Sequence, residues 1–134
     1  MSKKAAAALV TVLVCAAAFL ICRYKTSHRS FNETILKDGY ARESFLNING
    51  YDVGSQSCED IMIPESFDKA YEGYAELQKS RMLPLSEYKG KNAKRYLYEI
   101  KGENGKYAEL ILCDDVLIAA SILEYGSPGK CYPL

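Results

Sequence analysis

The sequence predicts an α+β fold, in which an N-terminal transmembrane helix precedes a small antiparallel sheet packed by two helices. Three observations lead to this prediction. The stretch Ala5–Cys22 carries no charge, and apolar residues recur at helical spacing after Pro64. Between residues 93 and 123, three strand-like segments are separated by two tight turns, which is the pattern of a three-strand meander.

The stretch Ala5–Cys22 is the predicted membrane anchor. A helix that crosses a bilayer needs roughly 20 apolar residues, and the basic residues at both ends can reach toward the headgroups and extend the span. A cleaved signal peptide is an alternative, because Ala16–Ala18 are small, but the apolar Phe19–Ile21 follow them. A lipoprotein signal would need a small residue directly before the cysteine, whereas Ile21 precedes Cys22.

The basic residues on the two sides of the anchor predict opposite orientations. Two lysines before it favour a cytoplasmic N terminus, and Arg23, Lys25 and Arg29 after it favour the reverse. Because a short N-terminal tail in a signal-like context stays inside, we expect a single-pass protein of the cell membrane with an extracytoplasmic domain. The predicted organisation is an anchor over residues 1–25, a linker over 26–37 and a domain over 38–134.

Composition limits the classes of partner. Basic and acidic residues number 17 each, so the formal net charge is zero and no binding of nucleic acid is predicted. Outside the anchor stand Cys58, Cys113 and Cys131, whose spacing matches no zinc or redox motif. One disulfide among them would suit an extracytoplasmic domain, with the pairing left open, but buried or incidental thiols are the simpler interpretation. The sequence predicts no cofactor and no metal site.

Two helices are predicted. The first spans about Asp38–Ile48 and ends at Asn49-Gly50, since both residues tolerate a left-handed backbone. The second follows Pro64 and ends at Pro84. Its apolar residues recur at steps of three or four, at Phe67, Ala70, Tyr71, Tyr74, Leu77 and Met82.

The predicted strands comprise one short strand and the meander. The short strand covers Asp60–Ile63, after a loop at Gly54–Ser57. The meander covers Ala93–Lys101, Tyr107–Cys113 and Val116–Leu123. Its turns lie at residues 102–105, which contain an Asn-Gly pair, and at Asp114-Asp115. The tail Gly126–Leu134 is predicted to be irregular.

Several segments of the domain resemble one bacterial family. The similar strings are Ile63–Tyr71 (IPESFDKAY), Leu85–Lys91 (LSEYKGK) and Arg95–Glu99 (RYLYE). They resemble a membrane-anchored family of domains of unknown function in Firmicutes, DUF 4830, and the resemblance covers Ala41–Leu123. It implies an N-terminal apolar segment and one small domain, but no known active site. The chain departs from the family at Ala119–Ser121, where relatives tend to carry glycines and an aspartate.

The sequence favours a non-enzymatic domain that binds a partner protein, a peptide or a component of the cell envelope. The alternative is a small-molecule sensor that uses a tyrosine-lined space between helix and sheet, formed by Tyr71, Tyr74, Tyr96 and Tyr98. A plain hydrophobic core would explain these four residues equally well.

An enzyme is the least favoured class. A nucleophilic cysteine needs a base, but the only histidine, His28, lies in the predicted linker. Asp114 and Asp115 would form a carboxylate pair, yet they occupy a position where the chain must turn. No catalytic residue is predicted.

Overall fold

The computed structural model describes residues 33–126 and 128–134. The predicted anchor Ala5–Cys22 and His28 lie outside the described residues. Within the described ranges, no helix combines the length and the apolar character needed to cross a bilayer. Residues Glu33–Leu134 form one compact unit.

The described residues contain two α-helices, one 3-10 helix and a five-stranded sheet. In chain order the elements are α1 (Gly39–Ile48), β1 (Val53–Met62), α2 (Lys69–Ser80), the 3-10 helix Leu85–Tyr88, β2 (Asn92–Ile100), β3 (Lys106–Cys113), β4 (Val116–Glu124) and β5 (Lys130–Pro133). Each strand pairs antiparallel with the next, so the spatial order is β1-β2-β3-β4-β5. The α+β class and the predicted meander, now β2–β4, are therefore confirmed.

Aspartates set the start of both helices. The side chains of Asp38 and Asp68 each accept a 2.8 Å hydrogen bond from the backbone N–H three residues later, at Ala41 and Tyr71. The cap at Asp68 explains why α2 begins at Lys69 rather than directly after Pro64.

Both ends of the sheet differ from the sequence prediction. The predicted loop Gly54–Ser57 is part of β1, because its chain pairs with β2 across a register shift between Val53 and Gln56, although the segment is polar and mostly exposed. Such a strand lacks the apolar alternation by which strands are recognised. The tail was expected to be irregular, but Lys130–Pro133 pairs with β4 as an edge strand, a position that tolerates Pro133.

The folded unit also begins before residue 38. Ile35 forms an isolated bridge with Val116, and the N–H of Leu36 donates a 2.8 Å hydrogen bond to the carbonyl of Asp115. Leu36 is 5% exposed. The end of the predicted linker is therefore packed on the sheet. The sequence did not predict this packing, because one buried leucine in a mostly polar segment gives no periodic pattern.

The two helices lie on opposite faces of the sheet. On the α1 face, Leu46 of α1 packs with Tyr98, Leu110 and Leu117. On the α2 face, Ala75 of α2 belongs to a second cluster with Ala93, Ile111, Ile118 and Ala119. Both faces of β3 and β4 are covered, which agrees with their nearly continuous apolar sequence.

Candidate functional site

The four tyrosines of the predicted ligand space do not meet. Tyr71 and Tyr74 lie on the α2 face, with their ring centroids 5.8 Å apart. Tyr96 and Tyr98 belong to the cluster on the α1 face. Because the sheet lies between the two pairs, the structure contains no single space lined by all four residues.

The pair on the α1 face is engaged by an arginine of the same chain. Arg42 of α1 donates from Nε to the hydroxyl of Tyr98 at 2.9 Å. Its guanidinium carbon lies 3.9 Å from the ring centroid of Tyr96, a cation–π distance. Arg42 is 8% exposed and Tyr98 is fully buried. This arrangement fixes α1 on the sheet, and it buries the hydroxyl end of Tyr98 against the helix.

The pair on the α2 face belongs to a polar network. The hydroxyl of Tyr74 donates to Oε1 of Glu109 at 2.6 Å. The guanidinium of Arg95 donates from Nε to Oε2 of Glu109, and from its Nη1 to Glu59 at 2.8 Å. Burial, together with the adjacent charge of Glu109, raises the pKa of Tyr74, so the tyrosine remains a protonated donor in alkaline solution where an exposed tyrosine would ionise.

The network continues from Tyr74 to β4. Gln78 of α2 donates from Nε2 to Oγ of Ser121 at 2.9 Å and accepts from the N–H of Ala120 at 2.9 Å. The hydroxyls of Ser121 and Tyr74 are 3.4 Å apart. Within the described ranges, every buried side-chain nitrogen and oxygen has a hydrogen-bond partner. The network is therefore a fixed connection between α2 and the sheet.

An open groove of about 410 Å³ lies beside this network. Arg95 and Glu109 contribute polar groups to its lining, and the surrounding residues are mostly apolar: Ile61, Met62, Pro64, Tyr71, Ile111 and Leu123. Leu123 is only half-buried, and Met62 is 64% exposed. The groove thus combines exposed apolar walls with a charged pair that the fold already holds in place.

A second cavity, of about 400 Å³, lies at the same end of β1 on the α1 face. Its charged lining consists of Asp60, Lys94, Asp114 and Asp115. Asp114 and Asp115 form the predicted turn between β3 and β4, with φ angles of 47° and 65°. They are exposed, and their left-handed backbone is that of a tight hairpin. Among the described residues, no group of three or more potential ligands is arranged to hold a metal ion.

The three cysteines of the domain are free thiols on different strands. Cys58 and Cys131 are exposed on the two edge strands, whereas Cys113 is buried and its Sγ lies 3.3 Å from the carbonyl oxygen of Asn92. Desolvation is the leading cause of a raised pKa at both Cys113 and Cys131. Cys131 is exposed as a residue, but it also lines the groove, where neighbouring atoms partly shield its thiol from water. A raised pKa keeps a thiol protonated at neutral pH, which is the reverse of what activates a nucleophile.

Sequence reasoning missed the polar members of the network, although two signals were present. Glu109 is a charged residue inside the apolar run of a central strand, where an unpaired carboxylate would be costly. Gln78 lies on the same helical stripe as Tyr71 and Tyr74, at steps of three and four residues. A polar residue at an inward-facing position of this kind indicates a buried hydrogen-bond network.

The fold and the groove define a class: a small α+β domain with one helix on each face of a five-stranded antiparallel sheet. Comparisons with protein-family models, with curated proteins and with solved structures gave no match.

Proposed function

We propose that this is a non-enzymatic binding domain that receives a segment of a partner protein or peptide in the groove on the α2 face. The observation that carries the proposal is the groove itself, with apolar walls beside a buried and fully paired charge network. Binding sites are typically concave, largely apolar and already formed, with a few polar groups in fixed positions.

Exposed apolar side chains support this choice of surface. Met62 is 64% exposed at the rim, and Ile61 and Pro64 adjoin it. The hydrogen-bonded residues beside the groove give it a fixed shape, because Glu109 is 5% exposed and accepts hydrogen bonds from both Tyr74 and Arg95. A groove that does not need to be reorganised loses less free energy on binding.

The cellular setting completes the proposal. We propose that Ala5–Cys22 anchors the chain in the cell membrane as a single span, and that the domain is extracytoplasmic and belongs to the Firmicutes family DUF 4830. Its partner would then be an envelope component or an exported protein. Protease treatment of intact cells carrying a C-terminally tagged chain tests the orientation. Loss of the tag before lysis is expected, and a tag that survives until lysis would place the domain inside.

The groove is tested by selecting peptides from a displayed random library against the full-length chain in detergent micelles. Each enriched peptide is then measured against Met62→Asp, which puts a charge on the apolar rim. Binding is expected to weaken about tenfold or more, as for a residue that dominates an interface.

The matched control is Ile48→Asp. Ile48 is 85% exposed at the end of α1, on the opposite face of the sheet from the groove. The control should bind every peptide as the unaltered chain does. If selected peptides bind Met62→Asp and the unaltered chain equally, the groove is not the binding surface.

The alternative, a small-molecule sensor, has its four predicted residues divided between two faces of the sheet. Tyr71 and Tyr74 line this same groove, whereas Tyr96 lines the second cavity. Thermal shift of the full-length chain against metabolites and cell-wall fragments separates the two proposals, because a sensor would be stabilised by one compound and a peptide-binding domain would not.

A further inference from the structure

We infer that the occupant of the groove is an extended, basic segment of a partner protein, which adds a strand to the free edge of β1. This inference rests on the proposed function and specifies the partner. It follows from three features of β1: its open backbone edge, the excess of carboxylates beside it, and the apolar residues at its end.

The outer edge of β1 is long, and no strand of the described part of the chain pairs with it. Among residues 33–126 and 128–134, β1 has ten residues and pairs only with β2, whereas the opposite edge strand, β5, has four residues and contains Pro133. Natural edge strands are usually shortened or carry lysine or proline, which prevents pairing with other chains. β1 contains neither lysine nor proline. Its one irregularity, between Val53 and Gln56, leaves the remainder regularly paired with β2.

The outward-facing backbone groups of β1 can be assigned from its last inward bond. The N–H of Ile63 donates to the carbonyl of Lys91 at 2.8 Å, so Ile63 faces β2. In an antiparallel ladder, alternate residues turn both backbone groups to the same side. Therefore the residues that face away from β2 are those at even positions: Gln56, Cys58, Asp60 and Met62. An added strand would pair with these four residues.

Charge favours a basic partner strand. The two charged residues of β1 are Glu59 and Asp60, whose side chains are 58% and 85% exposed on opposite faces of the sheet. On the α2 face, Glu59 and Glu109 share the single cation Arg95.

On the α1 face, the cavity beside β1 is lined by three carboxylates, Asp60, Asp114 and Asp115, and by one cation, Lys94. Lys91 lies beyond the end of β1, opposite Ile63. Next to β1, the groups that line the groove and the cavity therefore include more carboxylates than cations. Arg42 lies on the α1 face but is already engaged by Tyr96 and Tyr98. A strand with lysine or arginine would complement the carboxylates. A second copy of the chain would instead bring two Glu59-Asp60 pairs to the same edge.

The apolar residues at the end of β1 fix where the segment lies. Ile61 faces the groove, and Met62 is 64% exposed at its rim. A strand paired with Gln56–Met62 would place alternate side chains beside Ile61 and thus in the groove, because side chains alternate between the two faces. The partner segment should therefore alternate basic and apolar residues.

The experiment uses a synthetic octapeptide of alternating lysine and valine, capped at both ends, and the full-length chain in detergent micelles. Titration calorimetry compares it with two analogues: one with glutamate in place of lysine, and one with every backbone nitrogen methylated. The methylated peptide keeps its side chains but cannot donate to a strand. Both analogues are expected to bind at least tenfold more weakly than the lysine peptide.

Hydrogen exchange shows where the lysine peptide binds. The amides of Cys58 and Asp60 are expected to exchange at least tenfold more slowly when it is bound, since their N–H groups face the added strand. The double variant Glu59→Gln/Asp60→Asn should bind the lysine peptide at least tenfold more weakly. Glu72→Gln/Glu76→Gln, which removes the same charge from exposed positions of α2, should bind it normally.

The outcomes separate the two proposals. If the methylated peptide binds as tightly as its parent and Met62→Asp weakens both, strand addition is wrong and the groove stands. The inference is also overturned if display selection yields groove-binding peptides while the lysine peptide does not bind. If Met62→Asp changes the binding of no peptide, the proposed function fails as well. A dimer formed through β1 in sedimentation analysis would show that the occupant is a second copy.

Discussion

The hydroxyl of Tyr74 on α2 donates a 2.6 Å hydrogen bond to the carboxylate of Glu109 on β3. Glu109 is 5% exposed, and its second oxygen accepts from Arg95. One contact therefore links the helix, the central strand and the groove. A buried charge of this kind is tolerated only while its partners remain, so the network is the most informative place to test the structure.

Alkaline pH should destabilise the domain partly through Tyr74. Burial and Glu109 raise the pKa of Tyr74 above the ordinary value of about 10. Above about pH 10, Tyr74 loses its proton in the unfolded chain but keeps the proton in the folded chain. The contribution of Tyr74 to the free energy of unfolding is therefore fully present below about pH 10 and decreases as the pH rises further. Tyr74→Phe should reduce the slope of the unfolding free energy against pH there by up to about 1.4 kcal/mol per pH unit.

Urea unfolding of the full-length chain between pH 8 and 11 measures this slope. Tyr132→Phe is the control, since Tyr132 is exposed on β5. Equal slopes for the Tyr74→Phe chain and the unaltered chain would contradict the raised pKa of Tyr74.

Glu109→Gln should destabilise the domain by about 2–4 kcal/mol, because the variant leaves the partly buried Arg95 with only its exposed partner Glu59. Glu76→Gln, at an exposed position of α2, should change stability by less than about 0.5 kcal/mol. Chemical unfolding monitored by circular dichroism gives both values. If Glu109→Gln lowers the free energy of unfolding no more than Glu76→Gln does, the ion pair of Arg95 and Glu109 does not stabilise the fold.

Gln78→Met should destabilise the domain by about 2 kcal/mol at nearly constant volume. Gln78 is fully buried, and its loss leaves the hydroxyl of Ser121 and the N–H of Ala120 without their partner. Lys79→Met, one residue later and exposed, is the matched comparison in thermal unfolding. If the two variants melt alike, the hydrogen bonds of Gln78 do not hold α2 on the sheet.

Asp115→Gly should stabilise the domain by about 0.5–1 kcal/mol. Asp115 has a φ of 65°, in the left-handed region that glycine adopts without strain. Asp115→Ala should destabilise it, because alanine is strained there and lacks the local hydrogen bonding of aspartate. Thermal unfolding ranks the three chains, and an alanine variant as stable as the glycine variant would rule out backbone strain as the cause.

The three cysteines of the domain should react with a thiol reagent in two classes. Cys58 and Cys131 are exposed and should be modified in the folded chain, whereas Cys113 should react only after unfolding. Oxidation should form no intrachain disulfide between Cys58 and Cys131. They lie on opposite edges of the sheet, about 19 Å apart by the spacing of strands, which is too far for a disulfide. Peptide mapping by mass spectrometry after modification checks both expectations.

Local sequence signals predicted the elements whose causes are local. The Asn-Gly pair and Asp114-Asp115 predicted both turns of the meander, and Gly105, Asp114 and Asp115 adopt the left-handed backbone that tight turns require. The apolar stripe with Tyr71 and Tyr74 identified α2, although its start depended on the cap at Asp68. The polar stretch at the start of β1 and the strand β5 gave no such signal, since their strand conformation comes from pairing with a neighbour.

The sequence by itself thus determined the α+β class, the meander and the periodicity of the two helices. Long-range packing places the helices on opposite faces of the sheet, which separates Tyr71 and Tyr74 from Tyr96 and Tyr98. Long-range contacts also pair Glu109 with Tyr74 and, within the described ranges, leave one side of β1 without a neighbouring strand. The physical reason is that periodicity shows which residues of an element are buried, while long-range packing determines what they are buried against.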